Sequence, residues 1–419
     1  MDKGGHFLFF RLHNHCALVE GAKKGAVYNF QSGKVHPINS SALSLLKECQ
    51  TQPVTSLIDI EDSENKPLVD FLQKLTELGL GSVYFLEPKA GQPAIPENEK
   101  PTLEFLWLEL TSQCNNRCLH CYATCAPDAV DNSRMPHERW LSIIAEARQA
   151  GATAIQLIGG EPLLYPQWRE LVIKAQSEGY EFIEVFTNAT LVDDDCIDFF
   201  KQHNVNIATT IYADNAEIHD KVTQNPGSFE QTYAAVKKIR AANIPLRIAS
   251  IIMKANEQEV DNIMKLCEQF GVESDPPDVV RPTGRGDDQD LLPANYVKPP
   301  IKPPFYTDAA TFSKAHQYHS CLAGKIAITP NGDVIPCIFA RHQICGNVLS
   351  APLAEVLSAK PLTACWCTTK DQVEKCKDCE FRYACSDCRP LAQGSDAQKR
   401  WLACSTGCSY NPYTGKWEE

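Results

Sequence analysis

The sequence predicts an α/β protein built around a partial (β/α)6 barrel of the TIM-like type. Three observations predict this fold. Apolar runs of strand length alternate with amphipathic helices six times between Leu103 and about Arg285, strands followed by helices precede them, and a cysteine-dense region follows them. Such alternation indicates a parallel sheet covered by helices, and six units are too few for a closed eightfold barrel.

The same pattern divides the chain into parts. We expect a small first domain over residues 1–90, a proline-containing linker over 91–102, the barrel over 103–300 and a cysteine-rich domain over 301–419. The last domain has few long periodic segments, so we expect bound metal to substitute for an apolar core there.

Charge and hydropathy exclude several classes of protein. The 40 basic and 52 acidic residues give a formal net charge of -12, which argues against nucleic acid as a partner. No run of eighteen apolar residues occurs, so no membrane partner is expected. The first fifteen residues have neither a long apolar core nor a small-residue cleavage site, and we therefore expect a cytoplasmic protein.

The barrel strands are expected where short apolar runs are bounded by turn residues. These runs are Leu103–Leu110, Ala154–Ile158, Phe182–Phe186, Ile207–Ile211, Leu246–Ile252 and, more weakly, Asp278–Arg281. Between them, apolar residues recur at helical spacing on one face, and glycines such as Gly151 and Gly179 end the helices. In barrels of this kind the chemistry lies at the carboxyl ends of the strands.

The first domain is expected to be winged-helix-like. His6–Glu20 and Ala26–Phe30 have the composition of short strands, the segment after Asn39 that of a capped helix, and Lys66–Leu78 that of a second amphipathic helix.

The chain has nineteen cysteines, an odd number in a chain too large to need a disulfide scaffold. Four lie between Cys114 and Cys125 and eleven between Cys321 and Cys408. Packing does not require such clustering, so metal ligation is the leading explanation. The remaining four are expected to be small buried apolar residues: Cys16, Cys49, Cys196 and Cys267.

The first cysteine window begins four residues after the first barrel strand. Its C-x3-C-x2-C spacing, formed by Cys114, Cys118 and Cys121, lets three thiolates bind three corners of a cubic iron–sulfur cluster. The fourth iron then lacks a protein ligand and can bind a small molecule. A structural zinc site needs four ligands, and because Cys125 could supply the fourth, zinc stays an alternative.

This segment resembles the signature of the radical S-adenosylmethionine (SAM) superfamily. Two later strand ends add to the resemblance: Gly159-Gly160-Glu161-Pro162 is similar to its GGEP motif, and Thr187-Asn188-Ala189 to its TNG segment, with alanine in place of glycine. The resemblance implies a [4Fe–4S] cluster on the three cysteines, and a 5′-deoxyadenosyl radical that abstracts hydrogen from substrate. It also implies that SAM is bound by His120, Gly159, Gly160, Glu161, Asn188 and Thr210.

The second window resembles the SPASM domain, which holds two auxiliary [4Fe–4S] clusters and would bring the total to three. By that resemblance the outer cluster is held by Cys376, Cys379, Cys385 and Cys408, and the inner cluster by Cys321, Cys337 and Cys388. The last spacing is x2 where x3 is usual. A fourth inner ligand would be Cys345, Cys365, Cys367 or none, and Cys404 competes with Cys408. A zinc ribbon is the alternative, but its cysteine pairs usually stand farther apart.

The first domain carries a further resemblance over residues 25–39, to the RiPP recognition element that binds the leader of a ribosomal precursor peptide as an extra strand. The whole chain resembles maturases of the grasp-with-spasm type. This implies a precursor peptide substrate, an oxidative crosslink of thioether or carbon–carbon type, a flavodoxin- or ferredoxin-like electron donor and a neighbouring ATP-grasp ligase. The alternatives are a sulfatase-type protein maturase, a peptide epimerase and a non-catalytic iron–sulfur electron carrier.

Overall fold

The computed structural model describes residues 8–88, 95–96, 100–130, 135–272, 276–296 and 302–418. His6, most of the predicted linker at 91–102 and the predicted domain boundary at 300 and 301 lie outside these ranges.

The first domain contains two small antiparallel sheets and a helical layer. Its elements are β1 (Phe9–Leu12), β2 (Cys16–Glu20), β3 (Gly25–Asn29), β4 (Val35–Ile38), α1 (Ser40–Cys49), α2 (Val54–Leu57), α3 (Lys66–Glu77) and β5 (Gly81–Tyr84). Strand β3 lies between β2 and β4, and β1 pairs with β5. The strand predicted over His6–Glu20 is divided by a turn, in which the amide of Cys16 donates to the carbonyl oxygen of His13 at 2.9 Å. Helix α1 begins where the side chain of Asn39 accepts from the amide of Ala42 at 2.9 Å, as its capping role predicts.

The barrel follows, and its parallel strands confirm the predicted α/β fold. Its elements are β6 (Phe105–Glu109), α4 (His137–Gln149), β7 (Ala154–Ile158), α5 (Trp168–Ser177), β8 (Phe182–Phe186), α6 (Asp194–Gln202), β9 (Asn206–Thr210), α7 (Ala216–Thr223), α8 (Ser228–Ala241), β10 (Leu246–Ala249), β11 (Ile251–Ile252), α9 (Val260–Gln269) and β12 (Asp278–Val279). Strands β6 to β10 are parallel neighbours in chain order, and β12 pairs in parallel with β11. The barrel is therefore open on the side of its short sixth strand.

The barrel helices cover the sheet with the faces that the sequence predicts. In α4 the buried residues are Trp140, Ile143, Ile144 and Ala147, and α5 buries Trp168 with three further apolar residues. These side chains pack on the strands in one apolar core, which holds the carboxyl ends of the strands in fixed positions. No helix in the described part of the chain is long and apolar enough to cross a membrane.

The cysteine-rich domain begins by extending the barrel sheet. Its elements are α10 (Ala309–Gln317), β13 (Lys325–Ile328), β14 (Asp333–Ile335), β15 (Gly346–Asn347), α11 (Leu353–Ser358), α12 (Lys360–Trp366), α13 (Arg389–Ser395), β16 (Tyr410–Asn411) and β17 (Lys416–Trp417). Strand β13 pairs in parallel with β6, so Ile326 lies beside Leu106 and both join the barrel core. The expectation that metal replaces an apolar core is therefore wrong for residues 325–366.

The end of the chain packs against the first domain. Tyr28 on β3, Phe312 on α10 and Phe381 belong to one buried apolar cluster that Tyr410 and Trp417 complete. Because this cluster borders the outer cysteines, the first domain and the outer cysteine set share one core.

Candidate functional site

The first cysteine window forms a loop at the carboxyl end of β6. Its start is fixed by the amide of Cys114, which donates to the carbonyl oxygen of Ala126 at 3.2 Å. Burial raises the pKa of the Cys114 thiol to about 12. The pKa of the Cys118 thiol lies well above its usual range, mainly because of burial and, to a smaller extent, because of the charges of Cys121 and Cys114. The structure thus brings the three thiols together in a partly buried space, where thiolates are stabilised by a bound cation.

A residue that sequence reasoning missed holds this loop from the other side. The Nε and Nη2 atoms of Arg285 donate to the carbonyl oxygens of Cys118 and Cys125 at 2.9 and 2.7 Å. Its backbone amide donates to the carbonyl oxygen of Cys121 at 3.0 Å. The signal available in the sequence was the triplet Gly284-Arg285-Gly286, which follows the last barrel strand at the catalytic edge.

The segment Gly159-Gly160-Glu161 follows β7 and lies directly on the cysteine loop. The amide of Gly160 donates to the carbonyl oxygen of Thr111 at 2.7 Å, and that of Glu161 to Gln113 at 2.8 Å. A Cβ on Gly160 would lie 1.9 Å from the Gln113 carbonyl oxygen, and Gly159 has φ 142°. Only glycines allow this approach of two backbones.

The Glu161 carboxylate is fully buried and faces three donors. It accepts from the hydroxyl of Thr187 at 2.7 Å and from the amides of Asn188 and Leu163 at 2.8 and 3.0 Å. Burial raises its pKa to about 7, against these hydrogen bonds. No lysine or arginine of the described residues forms an ion pair with it, so its charged form suits an ammonium group supplied by a ligand.

Asn188 connects this carboxylate to the cysteine loop. Its Nδ2 atom donates to Oδ1 of Asn115 at 2.7 Å and lies 3.8 Å from the Cys114 sulfur. The next residue, Ala189, is buried and has φ 64°, a left-handed conformation that favours glycine. The preference for glycine in the TNG segment therefore has a direct backbone cause.

His120 and Thr210 converge on Tyr212, another residue that sequence reasoning missed. The His120 Nε2 atom lies 3.3 Å from the Tyr212 hydroxyl, and Thr210, the last residue of β9, interacts with the same hydroxyl. The His120 Nδ1 atom is buried and has no partner among the described residues. Burial and the charge of Arg285 lower the His120 pKa to about 4, so the ring is neutral and one buried nitrogen is available to a ligand.

Cys125, the alternative zinc ligand, lies beside Cys121. A hydrogen bond between the two thiols lowers the pKa of Cys121, and it raises that of Cys125 well above its usual range. No three cysteine, histidine or acidic side chains within the described ranges converge closely enough to hold a single metal ion. The three-cysteine loop, the glycine cradle and the unpaired carboxylate therefore fit a larger, cluster-type group with a ligand on one corner better than a closed zinc site.

The inner cysteine set is also assembled. Burial, with the nearby Cys321 and Cys388 thiolates, raises the pKa of the Cys337 thiol to about 12. Cys321 is exposed, and its backbone amide donates to Nδ1 of His319 at 3.1 Å. Arg281 lies close enough to Cys337 and Cys388 to stabilise their thiolates.

The three residues considered as a fourth inner ligand behave differently. Cys345 and Cys365 are buried in the barrel core, and their thiols are hydrogen-bonded to each other. Cys367 is exposed after the end of α12. The structure therefore gives Cys345 and Cys365 a partner outside the inner set.

The outer set contains one thiol more than a cubane needs. Five cysteines line a single cavity, together with Lys370 and the aromatic rings of the shared core: Cys376, Cys379, Cys385, Cys404 and Cys408. The sulfur atoms of Cys376 and Cys404 are 3.9 Å apart, and Cys404 is hydrogen-bonded to Cys408 as well. That hydrogen bond holds the pKa of Cys408 below its usual range, which favours Cys408 as the thiolate and Cys404 as the donor.

Thiols grouped in this way around an open β/α barrel place the protein among the iron–sulfur enzymes. Residues 108–267 match the Radical SAM superfamily, and residues 321–380 match SPASM, an iron-sulfur cluster-binding domain. The chain is therefore a radical SAM enzyme with a SPASM domain, and its cofactors are SAM and iron–sulfur clusters.

Curated relatives span most of the chain. The AdoMet-dependent heme synthase of Methanosarcina barkeri is 25% identical over 338 residues, which are 73% of this chain and 95% of that protein. The antilisterial bacteriocin subtilosin biosynthesis protein AlbA of Bacillus subtilis is also 25% identical over 338 residues, 74% of this chain and 72% of that protein.

Among solved structures, SuiB of Streptococcus suis bound to S-adenosylmethionine covers 95% of this chain and 99% of its own, with a TM-score of 0.55 and 14% identity. The native anSMEcpe with bound AdoMet and Cp18Cys peptide has a TM-score of 0.52 and 15% identity, over 75% of this chain and 94% of its own. At these sequence identities the similarity concerns the fold alone.

Proposed function

We propose that this chain is a radical SAM maturase of a ribosomal precursor peptide and that it installs an oxidative side-chain crosslink, either a thioether or a carbon–carbon bond. When bound, the cluster and SAM supply a 5′-deoxyadenosyl radical that abstracts hydrogen from an unactivated carbon. The similarity to AlbA, a bacteriocin biosynthesis protein, and to SuiB, which was also solved bound to the precursor peptide SuiA, supports a peptide substrate.

In this proposal the cofactor lies at the carboxyl ends of β6 to β9. Cys114, Cys118 and Cys121 hold the first [4Fe–4S] cluster. The carboxylate of Glu161 binds the methionine ammonium group, because it is buried without a cation of its own. Gly159 and Gly160 allow their backbone to lie directly against the cysteine loop. Asn188, His120 and Thr210 position the remainder of SAM.

The auxiliary sites complete a total of three clusters. Cys321, Cys337 and Cys388 hold the inner cluster. Cys345 and Cys365 are paired with each other, which leaves Cys367 or no thiolate for the fourth corner. The outer cluster is held by Cys376, Cys379, Cys385 and Cys408, and Cys404 donates a hydrogen bond to the sulfur of Cys408. Bound at these cysteines, the clusters would supply an acceptor for the electron that the substrate radical loses. A flavodoxin- or ferredoxin-like donor reduces the enzyme, and an ATP-grasp ligase acts on the same peptide.

The single observation that carries the peptide assignment is the first domain, a three-stranded sheet followed by helices that packs on the outer cysteine set. Its β4 edge offers no free donor. The amide of Val35 donates to the carbonyl oxygen of Phe305 at 3.2 Å, and Pro37 has no N–H. The β2 edge differs. The amide of Phe30 donates to the carbonyl oxygen of His15, and hydrogen-bonded residues alternate along an antiparallel pair, so the backbone amides of Leu18 and Glu20 point away from β3. Within the described residues their amides have no acceptor, and a leader strand fits there.

The test compares substrates. Reconstituted enzyme with SAM and a reductant should release 5′-deoxyadenosine and a peptide lighter by about two hydrogens. The core peptide without its leader should react far more slowly, and should recover when the leader is added in trans. A product of unchanged mass that contains solvent deuterium would indicate epimerisation. Equal turnover with and without the leader would contradict the peptide-leader assignment.

A second candidate substrate is a tetrapyrrole, because the M. barkeri heme synthase aligns over 95% of its own length. Consumption of a tetrapyrrole, with no response to any peptide, would replace the proposal. The N-terminal winged-helix-like domain favours the peptide.

A further inference from the structure

The loop after β12 contacts the first cysteine window more extensively than any sequence motif predicts. We propose that Arg285 is a positioning residue for the first cluster, which both fixes the cysteine loop and raises the reduction potential of the cluster through its charge. The proposal rests on the proposed function, since it takes Cys114, Cys118 and Cys121 as ligands of a [4Fe–4S] cluster.

The positioning role follows from where Arg285 donates. Its three hydrogen bonds reach the carbonyl oxygens of Cys118, Cys121 and Cys125, at 2.9, 3.0 and 2.7 Å. Two of these carbonyls belong to cluster ligands. Since one planar guanidinium bridges two carbonyls seven residues apart in the chain, it fixes the curvature of the loop, which lysine cannot do with a single point charge.

The two neighbouring glycines show that this approach is built into the backbone. A Cβ on Gly284, which has φ +59°, would lie 2.3 Å from the carbonyl oxygen of Tyr122. A Cβ on Gly286 would lie 3.2 Å from the His120 carbonyl oxygen and 2.4 Å from that of Arg281. Larger residues on either side would push Arg285 away from the loop.

The electrostatic role follows from the surroundings of the guanidinium. Its bonds go to neutral carbonyl groups, and it forms no ion pair with any described carboxylate. Its positive charge acts on the thiols of Cys118 and Cys121. A cluster gains negative charge on reduction, so a half-buried cation beside it that has no carboxylate partner stabilises the reduced form and raises the potential.

Arg117 provides a matched control from the same loop. Its side chain is 48% exposed and is already paired with the carboxylate of Asp128. Removal of an arginine charge at this position should leave the first cluster unchanged, because solvent and the partner carboxylate screen it.

The experiment is an anaerobic redox titration of the reconstituted full chain and of the variants Arg285→Gln, Arg285→Lys and Arg117→Gln, followed by EPR spectroscopy. The first cluster is identified by the change that SAM causes in its signal, and iron content is measured in parallel. In Arg285→Gln we expect the ratio of reduced to oxidised first cluster at fixed potential to fall about tenfold, a shift of ~59 mV for a one-electron couple. Arg285→Lys should recover most of the potential but leave a broadened signal.

The proposal would be overturned if the first cluster had the same reduction potential in Arg285→Gln as in Arg117→Gln and in the wild type. Selective loss of about four iron atoms in Arg285→Gln, with retention in Arg285→Lys, would support it, because the auxiliary sites act as an internal folding control. A wild-type enzyme in which no cluster responds to SAM would overturn the proposed function as well, and so the two failures are distinguishable.

Discussion

The hydroxyl of Tyr28 donates a hydrogen bond to the backbone carbonyl oxygen of Glu380 at 2.9 Å, across 352 positions of sequence. Glu380 follows Cys379, and its own carboxylate accepts from the Tyr410 hydroxyl. The first domain is thus joined by a buried polar bond to the loop that carries the outer cysteines. This contact means that removal of residues 1–90 would expose the outer set, so the role of the domain is better tested by point substitutions and by substrate truncation.

The first prediction concerns that bond. Tyr28→Phe keeps the ring that packs on Phe312, with centroids 5.1 Å apart, but leaves a buried carbonyl without its donor. We expect a loss of about 1 kcal/mol of stability. The unfolding midpoint of the holoenzyme should fall by about 1 °C, measured by calorimetry under argon. Tyr306→Phe makes the same chemical change at a side chain that is 59% exposed, and should leave the midpoint unchanged. Equal midpoints for the two variants would refute the prediction.

The second prediction concerns the glycine cradle. Gly160→Ala places a Cβ 1.9 Å from the Gln113 carbonyl oxygen and must separate the GGEP segment from the cysteine loop. We expect cleavage of SAM to fall by at least about tenfold, because misplacement of a binding group by a fraction of an ångström is costly. Gly407→Ala is the control, since its nearest neighbour would be 3.8 Å away. The assay is 5′-deoxyadenosine release, and full activity in Gly160→Ala would contradict the assigned contact.

The third prediction is a pH dependence of SAM binding. Burial raises the pKa of the Glu161 carboxyl to about 7, and only its ionised form attracts an ammonium group. Affinity is therefore complete above pH 7 and is lost as the pH falls through that value. Between pH 8 and pH 6 we expect a decrease of roughly tenfold in affinity, measured by anaerobic equilibrium dialysis. Glu161→Gln should bind SAM weakly and show no such pH dependence. If the affinity of the wild type for SAM did not change between pH 8 and pH 6, Glu161 would not be the group that binds the ammonium.

The fourth prediction separates two neighbouring thiols. Because Cys404 donates a hydrogen bond to Cys408, we assign the ligand role to Cys408. Cys408→Ser should lose about four iron atoms per chain, whereas Cys404→Ser should retain them and change the outer cluster's EPR spectrum. Iron and sulfide analysis of the two purified variants decides the matter. The opposite pattern of loss would reverse the assignment.

Much of the fold could be predicted from sequence because it depends on local patterns. The first four barrel strands were predicted to within two residues, since each is an apolar run bounded by turn residues and followed by a one-sided helix. The fifth, predicted as one strand over Leu246–Ile252, is divided into β10 and β11, which lie in different sheets. The GGEP segment could be found because its glycines are required by a backbone approach that no other residue allows.

What could not be predicted depends on contacts distant in sequence. Arg285 reaches Cys118 across 167 positions, and Tyr212 meets His120 across 92, with no periodic pattern to indicate either pair. Strand β13 has four residues, too few to show alternation, and it is fixed by pairing with β6. The turn that separates β1 from β2 was hidden because the residues on both sides are equally suited to a strand.

The central claim is that one iron of the first cluster binds SAM because Cys114, Cys118 and Cys121 supply only three thiolates. The most direct measurement is electron–nuclear double resonance on the reduced full-length enzyme with SAM labelled at the methionine nitrogen and carboxylate carbon. The account predicts hyperfine coupling of both labels to the cluster, retained in Cys125→Ala. Absence of coupling in the wild type, together with its appearance only when Cys125 is removed, would show that a fourth thiolate occupies that corner and would contradict the account.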